Sequence, residues 1–304
     1  LLLFRYRNYQ VLFVSLPPMA YLLSIILPNR CSMLIWDVYP DIFKITGMRE
    51  SHPVYRIWSF LNKIAFRHAF RIITIGDRMA DLLEKYAPEN KILINPIWSI
   101  FQSNRKVEKS KNPFIRQEQL EGKFIVQYSG NIGLTHNVEV MVEMAERLQK
   151  RKDILFQIIG RGPRKPVLEK LVRQKNLPNC MFLPFQSDEM FPYSLSAADI
   201  GVVISDDATS KGSVPSKSYN LMSYGIPSLY IASEESELNS YAKKYEHAAC
   251  FEHDQLDKAV QFIEELADNE DKWSILSRNA EQASKNYRRE NADKLVETYV
   301  GIED

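Results

Sequence analysis

The chain has 304 residues, 45% of them apolar and 25% charged, with a formal net charge of +1. That length accommodates two α/β domains with separate cores, and that composition is globular rather than disordered or fibrous. The near balance of charge excludes a general attraction to nucleic acid, although the first 110 residues are basic, with 15 Lys/Arg against 8 Asp/Glu.

In chain order, the apolar run from Val11 to Pro28 approaches the length of a membrane span, but Pro17 and Pro18 interrupt it and its first part reads as a buried strand. Short apolar runs at 10–15, 32–36, 72–75 and 91–94 alternate with helical stretches, which predicts βα units and a parallel sheet. No opening strand with a glycine-rich turn precedes them, so this first domain reads as shortened. LIWDVYPD (Leu34 to Asp41) ends a strand at Trp36, and Asp37 then either faces a cleft or caps a helix. Between Val54 and Arg71 a helical stretch mixes Trp58, Phe60, Phe66 and Phe70 with Arg56, Lys63, Arg67 and Arg71. That mixture suits an anionic membrane surface, and core packing explains its aromatic residues as well. The polar segment from Ser103 to Pro113 is the best linker candidate.

A second alternating set predicts strands near 124–128, 154–159, 180–183, 199–204, 228–232 and 249–251, a complete doubly wound sheet. Residues 268–300 read as two further helices. Two of its strand-loop-helix corners have the form of anion sites. In the first, Phe124 to Tyr128 runs into Ser129-Gly130-Asn131-Ile132-Gly133, ahead of a helical stretch from Asn137 to Lys150. In the second, Val202-Val203-Ile204 leads through Gly212, Ser213 and Pro215 into a helix at Ser216, with Lys217 in its first turn. Backbone N–H groups at such corners bind phosphate or diphosphate. The same pieces also occur as ordinary α/β corners, so each alone is weak and the pair is stronger.

Cys31, Cys180 and Cys250 are too scattered for a disulfide framework or a metal cluster, which fits a reducing cytoplasm. His52, His68, His136, His247 and His253 have no metal-ligand spacing. The chain opens on Leu1 with no visible signal peptide.

With these corners and paired α/β halves, the chain resembles the GT-B glycosyltransferases of family 4, in the fucosaminyltransferase-like bacterial branch that builds surface polysaccharides. The resemblance rests on GNIG (Gly130 to Gly133), IGRGPRK (Ile159 to Lys165) and, most specifically, VPSKSYNLMSYGIP (Val214 to Pro227). It implies an incomplete acceptor-side domain over 1–110, a nucleotide-sugar-binding domain over 111–280, and a C-terminal helix over 281–304 crossing back to the first. Arg161 and Lys217 are then the catalytic cations. Gly130, Asn131, Gly133, Lys165, Phe185, Ser216 and Asn220 contact the donor, and Asp37 faces the acceptor. The FLPFQ stretch (Phe182 to Gln186) matches the place where the family reads the base, which favours a UDP-sugar.

The implied reaction is retaining and metal-independent, with no cofactor beyond the nucleotide-sugar substrate, a saccharide or lipid-linked saccharide acceptor, and a place in the cytoplasm or peripherally on the inner membrane face. Two glutamates of the family pattern are replaced, at Gly212 and Asn220. Asp206 or Asp207 either substitutes for the first or belongs to a solvated loop. Their loss keeps a non-catalytic nucleotide-sugar binder open as an alternative, with a UDP-sugar epimerase the weaker one.

Overall fold

A computed structural model describes residues 5–99, 106–133, 137–206 and 211–300. The first sheet contains β1 (Val11–Val14), β2 (Cys31–Ile35), β3 (Ile72–Thr74) and β4 (Ile92–Ile94), all parallel and in that spatial order. Its crossovers are a 3₁₀ turn (Ala20–Ile25), a second such turn (Asp41–Thr46) with helix α1 (Pro53–His68), and helix α2 (Asp77–Leu83).

Helix α1 starts where the His52 ring accepts the Val54 N–H, with Pro53 at a position that needs no donor. Tyr55, Trp58, Asn62, Ala65 and Phe66 recur at helical spacing and are buried. Trp58 Nε1 donates to the Tyr21 hydroxyl at 3.0 Å, and that hydroxyl donates to Asn62 Oδ1 at 2.9 Å. Trp58 and Phe66 are therefore core residues, and this corrects the part of the membrane reading that counts them on an outer face. The outward stripe is narrower: Arg56, Ile57, Phe60, Lys63 and Arg67, with Ile57 62% and Phe60 63% exposed. No helix among the described residues is long and apolar enough to cross a membrane.

The later half of the linker candidate is docked rather than loose. Val107 N–H donates to Ser196 Oγ, Asn112 Nδ2 donates to the Tyr193 carbonyl, and Lys109 is ion-paired with Asp199. Ser103 to Arg105 lie outside the described residues. Helix α3 (Pro113–Gln117) then packs Phe114 and Ile115 against the second sheet.

That sheet has β5 (Phe124–Asn131), β6 (Ile154–Arg161), β7 (Cys180–Leu183), β8 (Ile200–Ile204), β9 (Ser228–Ile231) and β10 (Ala248–Phe251). All neighbours are parallel, in the order β10-β9-β8-β5-β6-β7. Its helices are α4 (Glu139–Arg147), α5 (Lys165–Gln174), α6 (Phe191–Ser196), α7 (Lys217–Ser223), α8 (Glu237–Tyr245) and α9 (Leu256–Asp268). They are followed by α10 (Glu270–Ser284) and α11 (Asn291–Val300). The strand order reverses between β5 and β8, and in open α/β sheets ligands bind at the carboxyl ends of the strands flanking such a reversal.

The two sheets share an apolar seam. Tyr219 and Met222 of α7, Tyr241 of α8 and Ala283 of α10 belong to the core of the first sheet. At the closing end of the chain, Asn291 Nδ2 donates to the Pro96 carbonyl and Asn95 Nδ2 donates to the Asn291 carbonyl, both at 3.0 Å.

Candidate active site

At the switch point, Gly130 and Asn131 end β5 in register with Gly160 and Arg161 of β6. Close approach requires glycine at 160, which meets backbone, and positive φ favours it at 130, where the near atoms belong to a side chain. A Cβ on Gly130 would fall on the Lys217 Cε and Nζ, and one on Gly160 would fall on the Gly130 carbonyl oxygen. Lys217 therefore lies directly over the first corner. Its ammonium is 4.1 Å from the centroid of the Tyr128 ring and donates to the Tyr128 hydroxyl at 2.8 Å. The same hydroxyl donates to the Asn131 carbonyl at 2.7 Å. Desolvation pushes the Lys217 ammonium down to about 8 and holds the Tyr128 phenol above its ordinary value.

Below this contact lies a small pocket of about 40 Å³, lined by Gln127, Ser129, Lys217 and Asn220 among others. Asn220 and Lys217 lie three apart on α7 and so share a face.

The backbone contributes less than the sequence predicts. Ile132 N–H, expected to be available at the glycine corner, donates to the Arg161 carbonyl at 2.8 Å. At the second corner, Ser218 and Tyr219 N–H donate to the carbonyls of Pro215 and Ser216, and the Ser216 side chain makes no cap bond. With α7 only seven residues long, the positive charge at this corner is chiefly that of the Lys217 side chain.

The basic residues around β6 divide into two groups. Arg164 is ion-paired with Glu139, and Lys165 Nζ donates to the Leu183 carbonyl at 3.2 Å and the Gly160 carbonyl at 3.4 Å. Arg161 is exposed at the end of β6, one strand over from Asn131, with its guanidinium 5.7 Å from the Phe185 centroid. Phe185 is itself 56% exposed, so a planar group can reach it. Gly133 is buried behind the corner.

From the first sheet, Asp37 follows β2 and is half-buried, and desolvation raises its carboxyl above the ordinary range. The helix-capping alternative for Asp37 does not hold, since the 3₁₀ turn that follows starts after Pro40 without a side-chain cap. The next residue, Val38, donates its N–H to the Gly212 carbonyl at 3.1 Å. This contact brings the LIWDVYPD loop against the loop leading into α7.

Among the described residues, no group of three His, Cys, Asp or Glu side chains could hold a metal ion. His136 and Asp207 lie outside the described residues. Sequence reasoning misses Tyr128, which ties the two corners together. Its only signal is position, two residues before Gly130 on the side of the strand shared with Val126.

A family model for glycosyl transferases group 1 matches residues 110–283. The chain is 26% identical over 223 residues to the putative colanic acid biosynthesis glycosyl transferase WcaI of Escherichia coli K12, covering 72% of this chain and 54% of that one. It spans about half the length of the curated relatives it matches. Among solved structures, sucrose-phosphate synthase of Thermosynechococcus elongatus superposes with a TM-score of 0.77 at 14% identity, covering 98% of this chain and 74% of that one. Anabaena HepE in complex with UDP superposes with a TM-score of 0.75 at 13% identity, covering 95% and 78%. These likenesses, with the two all-parallel sheets, show the GT-B fold.

Proposed function

The chain belongs to the glycosyl transferases group 1, and from that premise we propose that it moves a sugar from a nucleoside-diphosphate donor to a saccharide or lipid-linked saccharide acceptor of a cell-surface polysaccharide. The observation that carries this reading is the packing of Lys217 directly over Gly130 at the switch point. The Lys217 ammonium gives that corner the positive charge a diphosphate needs, and Arg161 extends the positive charge one strand further. The exposed Phe185 offers a face for a base to stack on, and the UDP bound in the HepE neighbour favours uridine. The colanic acid name of the Escherichia coli relative supports the polysaccharide context.

In the reaction the bond from the anomeric carbon to the leaving phosphate oxygen breaks and a bond to the acceptor oxygen forms. The diphosphate departs with growing negative charge, which Lys217 and Arg161 stabilise electrostatically. In this retaining, metal-independent reading the departing phosphate takes the acceptor proton, so no dedicated protein base is needed. Asn220 hydrogen-bonds the ribose through its amide, without the charge that a carboxylate would add. Asp37 faces the acceptor from the first domain. The Arg56, Ile57, Phe60, Lys63 and Arg67 stripe of α1 rests on an anionic membrane surface, bringing the cleft to a lipid-linked acceptor.

Calorimetric titration with UDP, GDP and their sugars, followed by transfer and hydrolysis assays, tests the reading. Binding of UDP with turnover supports it, and absence of nucleotide binding rejects it. Binding without turnover selects the non-catalytic nucleotide-sugar binder, which the uncharged Gly212 and Asn220 positions favour.

A further inference from the structure

We propose that Tyr128 is a positioning residue for the donor diphosphate, a hydroxyl hinge that holds the Lys217 ammonium and the glycine corner in one fixed arrangement before any ligand arrives. The proposal rests on the donor reading of this site and adds to it the residue through which Lys217 acts.

The geometry is specific. Tyr128 is buried in β5, and its ring forms the floor under the lysine tail. Its hydroxyl uses both of its capacities, accepting from Lys217 Nζ at 2.8 Å and donating to the Asn131 carbonyl at 2.7 Å. The missing side chain at Gly130 leaves room for this contact. A lysine tail otherwise has several rotamers of similar energy and loses that freedom on binding. Here the ordering cost is met during folding, so less of the binding energy is lost to it.

The pocket beside Lys217 is lined by uncharged groups, and Tyr128 lies under its ammonium. The lining is Gln127 and Ser129 from β5, Asn220 from the same helix as Lys217, and apolar side chains including Leu195 and Val202. The Tyr128 hydroxyl dipole is thus the contact that favours the charged lysine against desolvation.

Tyr128→Phe removes the hydroxyl and keeps the ring. Two measurements on the whole chain separate positioning from a structural role. The first is the pH dependence of Lys217 acetylation by trace acetic anhydride, read by mass spectrometry without ligand. The second is UDP affinity by calorimetry. In Tyr128→Phe the labelling midpoint is expected to fall below its wild-type value, and UDP affinity to fall about two- to tenfold, the range for one lost hydrogen bond. Tyr128→Leu, which also removes the ring floor, should show larger changes in both. An unchanged labelling midpoint together with unchanged UDP affinity overturns the proposal. If the midpoint falls but the wild-type chain does not bind UDP, the hinge stands and the donor reading fails instead.

Discussion

At the scale of single residues, Lys217 makes the prediction with the clearest sign. Its ammonium is pushed down to about 8 by desolvation, so the charge offered to a diphosphate is present below that pH and is lost as the pH rises through it. UDP affinity is expected to hold up to about pH 8 and to weaken above it. Lys217→Arg keeps a cation that does not titrate in this range and should abolish the alkaline fall. Lys217→Ala should weaken UDP binding by about 1.5 to 3 kcal/mol, the range for a charge-assisted hydrogen bond. Calorimetry of the three proteins across pH checks all of this, and a wild-type profile that stays flat well above pH 8 removes Lys217 from the diphosphate. Gly130→Ala should weaken UDP binding comparably, because its Cβ would displace the Lys217 tail. Lys217, Gly130 and Asn220 are legible in the sequence because each sits in a local pattern with a known geometric use. Tyr128 is not, since a tyrosine in an apolar strand reads as core, and its ring is core. Which carbonyls take up the corner N–H groups is equally hidden, because Arg161 O ends β6 while Ile132 N follows β5, about 30 residues away in the chain.

At the scale of elements, the parallel strands are legible from short apolar runs broken by polar turns, and the boundaries differ where pairing continues past the apolar residues. β5 and β6 run on to Asn131 and Arg161 because the glycines let the two chains stay in register. For α1, spacing alone separates two faces without saying which one meets the sheet, since both carry aromatic residues. Trp58 and Phe66 turn inward to Tyr21, while Ile57 and Phe60 stay exposed between Arg56, Lys63 and Arg67. Those cations contribute about 1 kcal/mol each near an anionic bilayer, and that attraction is screened by salt. The chain is therefore expected to co-sediment with phosphatidylserine-containing vesicles more than with phosphatidylcholine vesicles, and less at high salt. Phe60→Asp, at an exposed site, should reduce this binding several-fold with little change in melting temperature. Equal sedimentation with both vesicle types would remove the membrane role of α1.

At the scale of the whole molecule, the order of the two α/β halves is legible, but the contacts that join them are not. They link residues with no shared local pattern. Glu237 of α8 reaches across 160 positions to accept the Asp77 N–H at 3.1 Å and the Arg78 N–H at 2.8 Å. Its carboxylate thereby caps α2 from the other domain while 1% exposed. A Cβ on Gly76 would fall on that carboxylate, so the glycine and the glutamate form one joint. Glu237→Ala leaves two amide donors without their acceptor and should cost about 1 to 3 kcal/mol. Gly76→Ala should cost a similar amount by expelling the carboxylate. If the two act through the same contact, the double variant loses much less than the sum of the singles, because the second change removes something already broken. Denaturant melts of the four proteins measure this coupling. Strict additivity would mean that the two domains are held together elsewhere, by the tyrosine seam of Tyr219, Tyr241 and Tyr287 and by Asn291 at Pro96.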